Sequence, residues 1–402
     1  MTHFVVIGAG QAGASLVARL RADGFDGQIT LVGAEPVPPY QRPPLSKAYL
    51  LGEMTVERLF LRPLEFYADH DITLRLDTRA ATIDAAARTV TLSDETVLNY
   101  DALALTTGAH PRTLPAAIGG TLEGVYTVRD LRDADAMEPE FRPGRRVLII
   151  GGGYIGLEAA AVAAKKGLEV TIVEMADRIL QRVAAPVTSD YFRALHQTHG
   201  VMIRESTGLE TLLGEERVTG ARLAGGIKLE IDFAIVGVGI TPATALAESA
   251  GLTIANGIAT DAQARTSDLH IWAAGDCASF AYHGQQIRVE SVGNAIDQAE
   301  VAAQNMMGAG IDYVPAPWFW SDQYDCKLQI AGLNMGYTEV HVRQVEDAVS
   351  HWYYKGDTLI AVDAMNDARN YMIGKRLIEA GKSPSPAVVC DPGTDMKALL
   401  RA

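Results

Sequence analysis

The chain has 402 residues, of which 48% are hydrophobic and 21% charged, a profile that suits roughly two or three globular domains. Its formal net charge of −14 argues against a nucleic-acid partner and against adsorption to an anionic membrane surface, because like charges repel. The three widely spaced cysteines, Cys277, Cys326 and Cys390, are typical of a reducing cytoplasm rather than of a disulfide framework. The sequence shows neither a secretory signal nor a membrane span, so we expect a cytoplasmic protein.

The first predicted unit is a strand, a glycine-rich turn, a helix and a second strand. HFVVIG and QITLVG are short apolar strands, and apolar residues recur at helical spacing over residues 12–20. Gly8, Gly10 and Gly13 form the pattern G-x-G-x-x-G between the first strand and the helix. Glu35 follows where an acid is expected to bind an adenosine ribose. The unit predicts a dinucleotide site whose pyrophosphate lies at a helix N-terminus.

A second unit of the same design begins at RRVLIIGGGYIGLE. Its turn carries Gly151, Gly153 and Gly156, and Glu174 closes the next strand. A carboxylate there accepts both ribose hydroxyls of NADH and repels the 2′-phosphate of NADPH. Arg178 is the competing feature, since it is able to meet a phosphate, but we favour a solvated residue near a helix start.

Two dinucleotide sites on one chain indicate an enzyme that passes a hydride between two redox cofactors. After the second unit, a helix is predicted from about Val292 to Met307. From PAPWFW onward, short strands precede a helix near Tyr371–Ala380. The pattern predicts an α/β protein with two Rossmann-like dinucleotide-binding domains and a smaller C-terminal α+β domain.

Two further segments resemble the glutathione reductase superfamily of flavoproteins. TSDLHIWAAGDC ends in Gly275–Asp276, like the superfamily's second FAD fingerprint, in which the aspartate bonds a ribityl hydroxyl. YDALALTTGAHPR resembles the segment that returns the chain near the FAD and ends at Gly108, although Thr106 replaces the superfamily's alanine. The resemblance implies that FAD occupies the first site and the nicotinamide dinucleotide the second.

Four longer segments resemble the putidaredoxin reductase family, which includes the ferredoxin reductase components of aromatic-ring dioxygenases: RPPLSKAYL, GGGYIGLE, VESVGNAIDQA and APWFWSDQYD. The resemblance covers nearly the whole chain and is weakest past about Asn366. It implies an FAD-binding domain at 1–112 and 242–317, an NAD-binding domain at 113–241 and a C-terminal α+β domain at 318–402.

The resemblance also assigns roles to single residues. Lys47 approaches the flavin N5 edge and pairs with Glu158, whose carboxylate also faces the nicotinamide, and Trp320 lies against the flavin edge. The family often has an aspartate at the position of Ala34, so Glu35 takes over the ribose contact here. With the residues above, the FAD site includes Arg42, Lys47, Ala80, Arg129, Val292 and Trp320, and the NAD site includes Tyr154, Ile155 and Glu158.

The chain has no cysteine before Cys277, whereas the disulfide reductases of the superfamily carry theirs in the first domain. Without a thiol relay, reduced FAD passes electrons out directly, and one-electron acceptors are the natural substrates. We therefore expect an NADH:ferredoxin oxidoreductase that needs no metal and serves a haem-thiolate monooxygenase or a ring-hydroxylating dioxygenase.

The expected partner is a small ferredoxin, with a [2Fe-2S] cluster, that docks near Trp320. Lys327, Lys375 and Arg376 either form a basic patch for it or are scattered solvated charges, in which case an apolar contact around Trp320 replaces the patch. We expect a monomer or a weak dimer. The alternative enzyme functions are those of a rubredoxin reductase and of an NADH-dependent quinone or ascorbate-radical reductase. A redox-sensing flavoprotein resembling apoptosis-inducing factor is the alternative of another class, which the missing basic stretches and the acidic charge disfavour.

Overall fold

The computed structural model describes residues 1–401, which divide into two compact units. Unit 1 comprises Met1–Gln41, Thr55–His110 and Ile240–Pro317. Unit 2 comprises Arg42–Met54, Pro111–Gly239 and Trp318–Ala402. Among residues 1–401, no helix has both the length and the apolar character needed to cross a membrane.

Unit 1 is built on a five-stranded parallel sheet. The first strand, His3–Ile7, lies at the centre of this sheet. Its residues from Phe4 to Ile7 are apolar and buried, as expected of a strand covered on both faces. In spatial order the strands are Ile271–Ala273, Ala102–Leu105, His3–Ile7, Gln28–Val32 and Ile72–Arg75. The helices Gln11–Ala22 and Val292–Met306 pack against each other and share a hydrophobic core with this sheet.

Smaller elements complete unit 1. An antiparallel sheet joins Ala80–Asp84, Thr89–Leu92 and Val97–Asn99, and another small sheet joins Ile258–Ala259, Ala278–Tyr282 and Gln285–Ile287. Ala109–Pro111 pairs with Ile240–Pro242. The short helices are Val56–Leu59, Leu64–Asp69 and Ala245–Ser249.

Unit 2 repeats the parallel design. Its five-stranded sheet has the order Met202–Arg204, Glu169–Val173, Arg146–Ile150, Phe233–Val236 and Val125–Tyr126. The helix Tyr154–Lys165 follows the central strand, and its alanines are almost all buried, which permits close packing. Unit 2 also contains an antiparallel sheet of three strands, Leu209–Gly214, Val218–Leu223 and Lys228–Glu230. Its further helices are Leu131–Met137 and Pro186–Thr198. Short 3₁₀ turns lie at Pro43–Ser46, Ala116–Ile118, Glu138–Glu140 and Ala224–Gly226.

The C-terminal part of unit 2 is a five-stranded antiparallel sheet with helices. The strand order is Trp318–Gln323, Cys326–Gly332, Thr358–Met365, Ala348–Lys355 and Glu339–Val345. Helix Ala368–Glu379 packs against this sheet and begins at Asp367, whose carboxylate accepts the amide of Asn370. Helix Pro386–Cys390 and the 3₁₀ turn Ala398–Leu400 follow. The observed helix begins three residues before the predicted start at Tyr371.

One hydrophobic core joins the C-terminal sheet to the second Rossmann-like region. Cys326, Leu328 and Met365 pack in the same cluster as Leu157 and Phe192. The C-terminal region therefore lies in one unit with the predicted NAD-binding region. Residues 42–54, which are predicted to belong to the FAD-binding domain, also lie in unit 2, where Leu50 is part of this core. The predicted domain bounds stay a prediction.

A buried polar cluster adds a second link inside unit 2. Thr188 on helix Pro186–Thr198 donates to the carboxylate of Asp363 at 2.8 Å and lies 2.7 Å from Nδ1 of His351. Tyr353 also donates to that carboxylate. Burial raises the pKa of Asp363 to about 6 and lowers the pKa of His351 to about 4.

Candidate functional site: two glycine loops and a buried ion pair

The first glycine loop has the geometry that a dinucleotide requires. Gly8 has φ +116°, and a Cβ built on it would lie 2.2 Å from the carbonyl oxygen of Thr106. A Cβ on Gly13 would lie 2.0 Å from the carbonyl oxygen of Gly8, so the helix packs tightly on the strand. A Cβ on Gly10 would meet nothing within 4 Å. The loop is closed where it packs and open where a pyrophosphate would approach, which fits the predicted ligand.

Thr106, the departure from the superfamily's alanine, is accommodated inside this loop. Its hydroxyl donates to the carbonyl oxygens of Gly8 at 2.8 Å and of Ile7 at 3.1 Å. The hydroxyl therefore ties the turn to the neighbouring strand, Ala102–Leu105, without leaving a buried polar group unsatisfied.

The predicted ribose acid of unit 1 follows the second strand of the sheet. Glu35 is partly buried and accepts a hydrogen bond of 2.6 Å from the hydroxyl of Tyr40, whereas Ala34 is exposed. This bond fixes the carboxylate beyond the strand end, where a ribose contact is expected. The ribose role of Glu35 stays a prediction.

Asp276 and Val292 lie within the two segments of unit 1 that were expected to hold the flavin. Asp276 is partly buried and follows Gly275, whose amide donates to Gln298 at 2.9 Å. Val292 is the first residue of its helix, and Ser291 caps that helix by accepting the amide of Asn294. Unit 1 also contains the other predicted FAD residues Ala80, at the start of a strand, and Gly108, which has φ +68°.

The second glycine loop reproduces the first. Gly151 has φ +109°, and a Cβ on it would lie 2.4 Å from the carbonyl oxygen of Gly237. A Cβ on Gly156 would lie 2.2 Å from the carbonyl oxygen of Gly151, whereas one on Gly153 would meet nothing within 4 Å. Each loop thus combines two glycines forced by packing with one that faces open space. The residues of unit 2 fit a second dinucleotide.

Glu174 is held rigidly beside this second loop. Its Oε2 accepts the amide of Gly152 at 2.7 Å and its Oε1 accepts the amide of Ala176 at 2.8 Å. The two bonds fix the orientation of the carboxylate, and the bond to Gly152 attaches it directly to the glycine loop. Discrimination by Glu174 against a 2′-phosphate stays a prediction.

Arg178 has a structural position that the sequence did not indicate. Its guanidinium donates to Oγ of Ser189 at 2.5 Å and to the carbonyl oxygen of Ala184 at 2.8 Å. These bonds bridge the loop after Glu174 to the start of helix Pro186–Thr198. The side chain is thus neither freely solvated nor held ready for a phosphate.

The predicted Lys47–Glu158 pair forms a buried ion pair in unit 2. Lys47 Nζ lies 2.7 Å from Glu158 Oε2, and the two side chains are 17% and 6% exposed. Ser46 donates to Oε2 at 3.2 Å and Ser321 to Oε1 at 2.7 Å. Burial raises the pKa of Glu158, whereas Lys47 and the two hydroxyls act in the opposite direction.

Ser46 and Ser321 were not singled out from the sequence. Ser321 shares one face of strand Trp318–Gln323 with Gln323, and both are fully buried. Two polar residues at alternate positions, after three aromatic residues of the same strand, were the available signal, because buried polar groups require partners. Ser46 offered no comparable pattern.

The other predicted residues of unit 2 are Arg42, Arg129, Tyr154, Ile155 and Trp320. The guanidinium of Arg42 donates to the carbonyl oxygen of Arg129 at 2.8 Å. Trp320 is partly buried and stacks on Trp318 with ring centroids 5.5 Å apart. Tyr154 opens the second dinucleotide helix with its hydroxyl buried, and the adjacent Ile155 is 45% exposed. Their cofactor contacts stay predictions.

Cys277 and Cys326 are buried and Cys390 is partly buried. Burial raises the pKa of all three, that of Cys326 to about 11, so the reactive thiolate is disfavoured. Within residues 1–401, no group of three or more His, Cys, Asp or Glu side chains is arranged to hold a metal ion.

Comparison with known proteins identifies two family models. Residues 2–303 match the pyridine nucleotide-disulphide oxidoreductase model, and residues 318–400 match the reductase C-terminal model. The first match covers both glycine loops, and the second covers the antiparallel sheet that begins at Trp318.

Full-length relatives extend these matches. The chain is 41% identical to rhodocoxin reductase of Rhodococcus erythropolis, over 98% of this chain and 94% of the relative. It is 42% identical to a ferredoxin--NAD(P)(+) reductase of a Sphingomonas species, over 99% of this chain and 98% of the relative. Among solved structures, putidaredoxin reductase in a covalent complex with putidaredoxin matches with a TM-score of 0.96 and 37% identity, over 100% of this chain and 98% of that one.

Proposed function

The chain belongs to the pyridine nucleotide-disulphide oxidoreductase family, and we propose that it is an NADH:ferredoxin oxidoreductase of the cytoplasm. The observation that carries the proposal is the repeated loop geometry, in which Gly10 and Gly153 each face open space at the start of a buried helix. Two such loops supply one site for FAD and one for a nicotinamide dinucleotide. The relatives' names, rhodocoxin reductase and ferredoxin--NAD(P)(+) reductase, support the choice of a ferredoxin as acceptor.

Bound FAD supplies the conversion between a hydride and single electrons. The protein's part is to bind and orient. The amides at each helix start bind a pyrophosphate, Asp276 and Glu35 hold the flavin's sugar hydroxyls, and Glu174 selects the ribose of NADH. The Lys47–Glu158 pair fixes a cation and an anion at a defined place within unit 2, which is the kind of preorganised field that stabilises transferred charge.

The acceptor follows from the state of the thiols. Cys277 and Cys326 are buried with raised pKa values, so neither is suited to relay electrons to a disulfide. Electrons therefore leave the reduced flavin directly, and a small iron–sulfur protein with a [2Fe-2S] cluster accepts them one at a time. That ferredoxin in turn serves a haem-thiolate monooxygenase or a ring-hydroxylating dioxygenase.

The docking surface that we propose lies on the C-terminal sheet around Trp318 and Trp320. Lys375 Nζ lies 5.7 Å from the centre of the Trp318 ring and 3.8 Å from a carboxylate oxygen of Glu379. Lys327 and Arg376 are exposed. Residues 318–402 carry nine Lys or Arg against eleven Asp or Glu, so this region is less repulsive to an acidic ferredoxin than the rest of the chain.

Acceptor specificity tests the proposal. Steady-state turnover with NADH is measured against a [2Fe-2S] ferredoxin, a rubredoxin, a quinone and a disulfide. We expect the highest kcat/KM with the ferredoxin. A higher kcat/KM with the quinone or the rubredoxin would identify that molecule as the acceptor instead of ferredoxin. Turnover with the disulfide would contradict the conclusion that the buried thiols do not relay electrons.

Charge reversal tests the docking surface separately. Lys375→Glu combined with Arg376→Glu should raise KM for ferredoxin, and added salt should do the same, because the encounter is steered by charge. Flavin reduction by NADH should be unaffected. The matched control is Arg222→Glu with Lys228→Glu, which reverses two exposed charges that pair on the separate antiparallel sheet of Val218–Leu223 and Lys228–Glu230. An equal rise in KM in the control would refute the location.

A further inference from the structure

A row of buried polar side chains connects Glu158 to the surface of unit 2. Ser321 Oγ lies 2.7 Å from Glu158 Oε1, and Gln323 Nε2 lies 3.1 Å from Ser321 Oγ. Gln323 Oε1 lies 2.8 Å from Nε2 of His196, whose Nδ1 lies 3.0 Å from the hydroxyl of Tyr324. Ser321, Gln323 and His196 are fully buried, whereas Tyr324 is partly exposed.

The donors in this row all point toward Glu158. Gln323 uses its amide nitrogen for Ser321, so its oxygen must accept a proton from Nε2 of His196. Nδ1 of His196 then carries no proton and accepts a hydrogen bond from the hydroxyl of Tyr324. Burial lowers the pKa of His196 to about 4, so the ring is neutral at physiological pH, as this pattern requires.

The direction of the row determines which form of Glu158 it accommodates. The oxygen of Ser321 accepts from Gln323, so its own proton is directed at Glu158 Oε1. An ionised carboxylate accepts the hydrogen bond from the Ser321 hydroxyl. A carboxylic acid protonated at Oε1 would instead place its own O–H against the O–H of Ser321, so that neither has an acceptor there. The row therefore favours the carboxylate and opposes the burial that raises the pKa of Glu158.

We propose that Ser321, Gln323 and His196 are positioning residues that keep Glu158 ionised beside Lys47, with Tyr324 fixing the outer end of the row. The inference rests on the proposed function, in which the Lys47–Glu158 pair serves hydride transfer. It assigns to the strand Trp318–Gln323 a task inside unit 2 that is separate from ferredoxin docking.

Few other titratable groups face this row. Lys47 is the charged group in contact with Glu158, and Tyr154 lies one helical turn earlier on the same helix. At the outer end, the exposed ring of His199 stacks on Tyr324 at 3.6 Å, and its Nδ1 lies 2.9 Å from the carbonyl oxygen of Leu195.

The test follows the protonation of Glu158 directly, in the oxidised holoenzyme. Infrared titration detects the carbonyl band of a protonated carboxylic acid, and subtraction of the Glu158→Gln spectrum assigns the band. Ser321→Ala removes a hydrogen bond to a charged group, so the midpoint of this titration should rise by about one pH unit or more. Gln323→Met releases the Ser321 hydroxyl and should raise the midpoint less.

Ser350→Ala is the matched control. Ser350 is a fully buried hydroxyl in the same C-terminal sheet that accepts the indole N–H of Trp352, and no bond links it to Glu158. The infrared titration midpoint of Glu158 in Ser350→Ala should equal that of the parent. Long-range ¹H–¹⁵N spectra should show His196 protonated at Nε2 in the parent and altered in Gln323→Met.

Kinetics then separate this inference from the proposed function. The acidic limb of the rate of flavin reduction by NADH should move to higher pH in Ser321→Ala, by the same amount as the infrared midpoint. An unchanged midpoint in both Ser321→Ala and Gln323→Met, or an equal change in Ser350→Ala, would overturn the inference. A parent enzyme whose flavin NADH does not reduce would instead overturn the proposed function, since the infrared titration needs no turnover.

Discussion

Replacing Glu174 by Gln should weaken the preference for NADH over NADPH. In the structure both carboxylate oxygens of Glu174 accept backbone amides, from Gly152 at 2.7 Å and from Ala176 at 2.8 Å. Gln has nearly the same shape and keeps one of these acceptors, whereas its NH2 group faces the other backbone amide. The substitution therefore removes the negative charge at the cost of one local hydrogen bond.

The size of the effect follows from the bond that NADH alone is able to make. A hydrogen bond to a charged group contributes about 1.5–3 kcal/mol, which corresponds to about a ten- to a hundredfold change in kcat/KM. Repulsion between Glu174 and the 2′-phosphate of NADPH adds to the parent's preference. We expect the NADH/NADPH ratio of kcat/KM to fall by about tenfold or more in Glu174→Gln.

The assay is anaerobic stopped-flow reduction of the flavin over a range of NADH and NADPH concentrations. Arg178→Gln is the control, because its guanidinium already binds Ser189 and Ala184; the ratio should stay at the parent value. Equal kcat/KM values for both nucleotides in the parent would refute the reasoning. Loss of NADPH use in Arg178→Gln would identify that arginine as the phosphate ligand.

Three further predictions address the flavin, the thiols and the buried carboxyl. Asp276→Ala should loosen FAD, measured as a rise in its Kd by equilibrium dialysis, and an unchanged Kd would place the flavin elsewhere. Replacing Cys277, Cys326 and Cys390 together by Ala should leave the rate of flavin reduction by NADH nearly intact, since burial raises the pKa of each thiol; a folded, FAD-loaded variant without reduction would contradict this. Burial raises the pKa of Asp363 to about 6 from 3.8, so the native state prefers the protonated form and its contribution to stability is lost as the pH rises through about 6. Asp363→Asn should therefore stabilise the protein more at pH 8 than at pH 5, by about 1.4 kcal/mol in urea unfolding, because only the pH unit between 5 and the folded pKa of about 6 contributes to the difference. A reversed difference would show that the carboxylate is favoured.

The parts of the fold that the sequence predicts are those whose cause is local. In each glycine loop, one glycine needs positive φ and another lies too close to a backbone carbonyl for a Cβ. Because both needs arise within a few residues, the spacing of the glycines predicts the loop. The helix at Val292–Met306 was likewise expected from its apolar period and ends one residue earlier than predicted.

The parts that the sequence did not predict depend on contacts between distant segments. Residues 42–54 lie in unit 2 because Leu50 joins the core around Leu157, and nothing in the local pattern marks that contact. Ser321 and His196 are far apart in sequence, and only the packing of helix Pro186–Thr198 against the C-terminal sheet brings them into one row. The bonds of Arg178 have the same origin.

The most direct test of the proposed reaction is a single-turnover experiment under anaerobic conditions. The FAD-loaded protein is mixed with a limiting amount of NADH and an excess of oxidised [2Fe-2S] ferredoxin, and the spectra of both cofactors are followed. Because a hydride carries two electrons, we expect two ferredoxins to be reduced for each NADH consumed, after the flavin is first bleached. Bleaching of the flavin by NADH while the ferredoxin stays oxidised would contradict the account.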